Sequence, residues 1–310
     1  MTQTSELRGS GSANLSLSAA ALLTLPPLLW AGNAVVGRLV TPLVSPMTLN
    51  LLRWLIACVI LLPMAGAVLR PKSPLWQQWR RFLLLGLLST SGYNALLYLA
   101  LNTSTPINVT LVGASTPVWM LLIGRYVYAQ PISGRQMLGA GLSIAGVVLV
   151  MCRGDWSQLT RLHWVAGDVY VLLASMGWAY YSWLLANPTP ESASIRADWA
   201  AFLFAQIVFG LVWSAAFTGA EWATTNGRLN MGWPLAAALL FIACGPALLA
   251  YRSWGAGVGR AGPAVAGFFI NLTPLFTALL SSAVLGEAPQ MFHVIAFALI
   301  VSGIVLSSRK

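Results

Sequence analysis

The sequence predicts an all-α integral membrane protein of ten transmembrane helices, built as two inverted five-helix repeats. Three observations predict it. Of 310 residues, 58% are hydrophobic and 8% charged, where a soluble domain carries about 25% charged residues. Ten apolar runs are each about the length of a bilayer crossing, ~20 residues. The two halves also resemble one another, with an odd number of runs in each. The mean hydropathy of +0.76 agrees with the first observation.

The runs fall at about 18–40, 47–69, 81–101, 106–128, 136–152, 163–186, 198–218, 232–254, 262–285 and 289–307. Helix-breaking residues separate them, as in Thr41-Pro42, Pro71-Lys72-Ser73-Pro74, Thr105-Pro106, Asn187-Pro188-Thr189-Pro190 and Gly286-Glu287-Ala288-Pro289. Outer-membrane barrels, whose strands alternate over about ten residues, are excluded. Residues 1–17 are polar, and no basic region followed by a short apolar core and cleavage site precedes the first run, so a cytoplasmic tail is expected rather than a cleaved signal. Cys58, Cys152 and Cys244 are too widely spaced for a disulfide or zinc framework and read as packing residues.

The net charge of +10 excludes nucleic-acid binding by its distribution, because the basic residues sit between apolar runs and form no clustered face. With the N-terminus inside, the inner segments hold Arg8, Arg70, Lys72, Arg80, Arg81, Arg125, Arg135, Arg196, Arg252, Arg260, Arg309 and Lys310. The outer segments hold Arg38, Arg153, Arg161 and Arg228, and Arg53 lies within a span. This bias of 12 against 4 places both termini in the cytoplasm and the chain in the cell inner membrane.

Residues 106–150 shifted by 157 align with 263–307 at nine identities without a gap, including Pro106 on Pro263, Thr116-Pro117 on Thr273-Pro274 and Gly146 on Gly303. Trp30-Ala31 matches Trp178-Ala179 at a shift of 148. The repeats are therefore 18–155 and 156–310. Five spans is odd, so the second copy enters the membrane upside down, and a transport site is expected near the midplane where the copies meet.

Trp30-Ala31-Gly32-Asn33 in span 1, Pro46 with Leu52-Arg53-Trp54 in span 2, and the Pro117 and Pro274 helices followed by a Gly-rich fifth helix resemble the EamA-type transporters of the drug/metabolite transporter superfamily over about 18–307. That resemblance implies a basket of ten helices around a central cavity and export of small metabolites by alternating access. Within the family the sequence is similar to the amino acid exporters, including those for aromatic amino acids. It departs from many members in Met231-Gly232-Trp233 and a long loop around 219–231.

Polar residues inside spans are costly and mark function by default. Arg53 in span 2 reads either as partner of a substrate carboxylate or as a snorkelling, helix-tying residue. Asp168, the one acid assigned to a span interior, reads as a proton carrier or as a carboxylate at a helix N-terminus. Glu287 reads as a cap or interface residue, and His163 and His293 sit at span edges without metal-ligand spacing. Trp30, Asn33, Tyr93, Asn94, Tyr98, Trp178, Tyr181, Tyr251, Trp254 and Asn271 are the candidate substrate-binding residues: rings and amides suit a zwitterion with an apolar side chain. Pro117 and Pro274, as repeat mates, predict matched kinks in spans 4 and 9 that serve as hinges. The Gly255, Gly257, Gly259 and Gly262 run reads as a tight cytoplasmic turn. No nucleotide-binding motif or enzymatic constellation is found, and neither a cofactor nor a metal is implied. The leading function is a secondary exporter of amino acids or related metabolites, with proton coupling open. The alternatives are efflux of cationic drugs and a passive, channel-like pore.

Overall fold

The computed structural model describes residues 15–161, 163–285 and 290–309. Glu287 and most of the N-terminal tail lie outside them. Among the described residues the chain is helical, with a single antiparallel bridge between Val44 and Leu229. Span 1 is α1 (Leu17–Val40), capped by Ser16, whose side chain accepts from the Ala19 amide. Span 2 is α2 (Pro46–Ala65), with proline in its first turn. Span 3 joins α3 (Trp79–Gly86), a π-helical turn (Leu87–Ser91) and α4 (Gly92–Leu101). Span 4 is α5 (Pro106–Gly113) and α6 (Thr116–Val127). Span 5 is α7 (Gly134–Met151) and span 6 is α8 (Ala166–Ala186). The connecting helix α9 (Pro190–Ala197) leads to span 7, α10 (Trp199–Thr224). Span 8 joins α11 (Trp233–Ile242), a second π-helical turn (Ala243–Leu249) and α12 (Ala250–Ala261). Span 9 is α13 (Pro263–Ile270) with α14 (Leu272–Leu285), and span 10 is α15 (Met291–Ser308).

Nine of these spans, among the described residues, are long and apolar enough to qualify as crossings. The tenth, span 4, breaks at Ala114-Ser115 into two short helices. Its repeat mate breaks at Asn271, and 114 plus 157 is 271. The expected kinks at Pro117 and Pro274 are thus breaks just before each proline, which then sits in a first helical turn where no donor is needed. The two π-helical turns obey the same shift, since 87–91 moves to 244–248, inside the second turn.

Repeat mates also touch. The Asn271 amide donates to the Ala114 carbonyl at 3.3 Å, and the Trp30 and Trp178 rings meet edge to face at 5.2 Å. In the α7–α15 pair, a Cβ on Gly139 would stand 2.8 Å from the Gly303 carbonyl, and one on Gly146 would stand 2.9 Å from the Ala296 carbonyl. Adding 157 to 139 gives 296, and subtracting it from 303 gives 146, so the two contacts are images of one another. This is the two-fold relation of an inverted repeat, with spans 5 and 10 packed on each other through small residues.

Three expectations change. Span 7 runs to Thr224, which shortens the connection expected around 219–231 to about 225–232; Glu221 holds that last turn by accepting from the Met47 and Thr48 amides at 3.0 and 3.1 Å. Gly255, Gly257 and Gly259 lie inside α12 rather than in a turn, which falls at Gly262 with φ +80. Gly257 lets α1 approach closely, since a Cβ there would stand 2.5 Å from the Leu23 side chain and force it to shift. Span 3 starts at Trp76, earlier than the apolar run, because Trp76 and Trp79 extend it to the interface.

Replacing Gly303 with leucine is expected to separate α7 from α15 and lower stability by about 1–3 kcal/mol. Gly141→Leu, which meets nothing within 4 Å, should cost far less. The apparent Tm of the two purified variants in detergent checks this.

Candidate functional site

A cavity of about 1080 Å³ lies where the two repeats meet. Its floor carries Trp30, Trp54, Tyr93, Trp178, Tyr251 and Asn271, and its mouth carries Pro106, Arg153, Asp155, Gln158, Gln290 and His293. The mouth residues sit at the ends of spans 4, 5 and 10 remote from the chain termini, so the cavity opens on the face opposite them. Toward the termini it is sealed by a packed layer in which Leu23, Tyr181, Trp254 and Phe268 are buried.

The floor is positioned by the broken and π-helical backbone. A π-helical turn, like a break, leaves carbonyls without their usual helical donors, and in hydrocarbon these must be satisfied internally. The Tyr251 hydroxyl donates to the Ser89 carbonyl at 2.6 Å. The Trp30 indole donates to the Pro246 carbonyl at 3.3 Å. Asn50 donates to the Thr90 carbonyl at 3.2 Å and to Ser214 at 3.1 Å. Asn271 uses its amide NH₂ twice, on Ala114 and on Ser143 Oγ at 2.9 Å, which leaves only its carbonyl oxygen for other partners. Each of these side chains is therefore held by the irregular backbone it completes.

Trp178 is the hub of the ring cluster. It packs against Trp30, Tyr93, Tyr181, Tyr251 and Trp254 with centroids 5.2 to 5.8 Å apart. Trp54 extends the cluster to Tyr251 at 5.1 Å, and Arg53 lies over the Trp54 ring at 5.4 Å.

Of the residues singled out from the sequence, the lining contains Trp30, Asn33, Arg53, Tyr93, Asn94, Trp178, Tyr251, Asn271 and Pro274. It does not contain Tyr98, Tyr181, Trp254, Asp168 or Pro117. Tyr181 and Trp254 are consumed in the seal, where Tyr181 donates to Gln206 at 2.9 Å and Trp254 donates to Ser182 Oγ at 3.2 Å. Tyr98 is half-buried on α4. Pro117 begins α6 behind the break.

Asp168 lies outside the lining, in the first turn of α8. It accepts from Ser104 Oγ at 2.5 Å, Asn108 Nδ2 at 3.4 Å and the Val165 amide at 3.1 Å, and is 2% exposed. It faces the N-terminus of α8, where the helix dipole favours a carboxylate. Sequence reading missed Trp54, whose signal was its place beside Arg53. It also missed Thr273 as a lining residue, and Glu221, which the apolar runs had left in a loop.

Asp168→Asn should preserve transport and its pH dependence while lowering stability by about 1 kcal/mol, as for loss of a helix cap. Transport rate against pH and apparent Tm, measured on the same preparation, separate this from proton carriage.

The sequence matches the model of the EamA-like transporter family over residues 17–152 and 165–309. It is 26% identical over 294 residues to an "Uncharacterized transporter" of Archaeoglobus fulgidus, covering 93% of this chain and 96% of that one. It is 24% identical over 291 residues to a "Probable amino-acid metabolite efflux pump" of Salmonella typhimurium, covering 92% and 93%. It is 25% identical over 268 residues to a "Probable terminal-alkyne amino-acid exporter" of Streptantibioticus cattleyicolor, covering 84% of each. A solved crystal structure has the same fold, with a TM-score of 0.71 at 21% identity over 94% of this chain and 97% of that chain. With its helical bundle, its broken spans 4 and 9 and a family match over nearly its whole length, the chain is a multi-pass membrane protein belonging to the EamA-like transporter family.

Proposed function

We propose that this transporter exports amino acids with apolar or aromatic side chains, or close metabolites, across the cytoplasmic membrane by alternating access. The observation that carries this reading is the floor: rings and amides at the meeting of two inverted repeats, open to one face and sealed toward the other. Such a lining suits an amphipathic zwitterion, whose side chain packs on the rings and whose ammonium is drawn to their faces. Two similar proteins bear names that include amino-acid export, which supports the same class. The basic residues of the loops, 12 against 4, favour cytoplasmic termini, and in that orientation the cavity faces outward. Cationic-drug efflux fits less well, because the lining holds three arginines and one acid, Asp155 at the mouth.

The inverted repeat also supplies the second state. In this conformation α12 closes on α8 through Trp254 and Ser182. Carrying Trp254 back by 157 and Ser182 back by 148 lands on Leu97 of α4 and Ala34 of α1, and both line the open cavity. In the inward-facing state these two are the residues that meet. A channel needs no such exchange.

Reconstituted protein should accumulate labelled phenylalanine against its gradient when unlabelled amino acid is supplied on the other side. Failure of every amino acid in a panel to drive counterflow would sink this reading. In a background lacking Cys58, Cys152 and Cys244, the pair A34C and L97C should cross-link during turnover and arrest transport, since disulfides form at Cα separations of about 4.4–6.8 Å. A pair that never cross-links, with transport intact, counts against the exchange.

A further inference from the structure

We infer that Arg53 is the anchor for a carboxylate at the floor of the cavity, and that the carboxylate rather than the ammonium is the group by which cargo is selected. This deepens the exporter reading and rests on it.

Arg53 is 7% exposed and lies among the cavity-lining residues. Its Nη2 donates to Asn50 Oδ1 at 2.5 Å. Asn50 is itself fixed by Thr90 and Ser214, and Ser214 by Ser91 at 2.8 Å. The guanidinium is therefore aimed by a neutral network. Among the described residues no carboxylate lies within ion-pair distance of it, its Nε is buried without a partner, and no side chain or carbonyl accepts from its Nη1. Removing a cation from water without a counter-ion is strongly unfavourable, and a membrane protein keeps such a group where function requires it. Nη2 spends one hydrogen on Asn50 and Nε is closed off, which leaves the Nη1–Nη2 edge of the planar fork for bidentate recognition of a carboxylate, the geometry at which arginine excels.

The acids show the other half of the selection. Asp168 caps α8, Asp198 accepts from the Ala200 amide at 2.9 Å at the start of α10, and Glu221 caps α2. At the mouth, Asp155 accepts from the Ser157 amide at 3.0 Å and from Gln158. None of these carboxylates is among the floor residues, and what the described lining offers an ammonium is ring faces and neutral amide and hydroxyl oxygens. A cargo that keeps its carboxylate and loses its ammonium should still be recognised, and the converse should not.

The wild-type protein tests this by calorimetric titration with phenylalanine, N-acetylphenylalanine, phenylpyruvate, phenylalaninamide and phenylethylamine. The three carboxylates should bind within about tenfold of one another, and the amide and the amine about tenfold or more weaker, a difference of one decade in Kd. Arg53→Gln should erase that preference, and Arg53→Lys should restore it in part. If the Arg53 variants do not fold, the wild-type series decides alone. Equal binding of phenylalaninamide and phenylalanine overturns the anchor and leaves the exporter reading standing. Binding of phenylpyruvate and N-acetylphenylalanine by a protein that carries no amino acid upholds the anchor while the amino acid reading falls. Binding of no carboxylate at all overturns it.

Discussion

Within hydrocarbon, a backbone carbonyl or amide that leaves the helical ladder must find a partner inside the protein. This chain breaks its ladder at four symmetry-related places, in spans 3, 4, 8 and 9, and all four converge on the same region. Those of spans 3, 4 and 8 are completed by the donors Trp30, Asn50, Tyr251 and Asn271, and Asn271 itself stands at the break of span 9. Satisfying the backbone therefore fixes the side chains of the cavity floor, and the cavity can be irregular because those side chains make it so. An unbroken ten-helix bundle of the same composition would have no reason to place polar groups at that depth.

Charge obeys a similar economy. Asp155, Asp168, Asp198 and Glu221 are engaged at helix N-termini and turns, where partial positive charge waits for them. Asp168 shows the arrangement clearly: three donors surround one carboxylate at the start of α8. Glu221 does the same between spans 2 and 7 and, with Trp222 donating to Thr48 Oγ1 at 2.8 Å, ties the two ends together. The paired backbone of Leu43 to Ser45 with Arg228 to Asn230 continues that tie into the loop. Arg53, in contrast, is buried beside the neutral Asn50 and lines the cavity.

Much of the site was legible because the repeat is. Once 106–150 aligns with 263–307, Asn271 falls on Ala114, and a residue that lies on its own mate is a residue at the two-fold axis. Trp30 and Trp178 announce the same axis at their own shift. Tyr181 and Trp254 show where sequence reading stops. Both are aromatic residues within a span, as Trp178 and Tyr251 are, but they are buried in the closed layer, bonded to Gln206 and Ser182. Which aromatic faces solvent and which seals depends on the conformation adopted, and no periodicity records it. The π-helical turns were equally silent. Pro246 marks one of them, but its mate at Leu87–Ser91 contains no proline.

The sequence by itself determined that the chain crosses a bilayer about ten times, that its two halves oppose one another, and that spans 4 and 9 are interrupted as a pair. Hydropathy, loop charge and repetition are properties of residues in order, and the bilayer reads them directly. Only the tertiary structure decided that Arg53 is buried beside a neutral amide, that Asp168 is a cap, and that the cavity stands open on one face. Those outcomes depend on partners far apart in the chain, as Asn50 and Ser214 are, and they exist only when packing has brought the partners to hydrogen-bond distance.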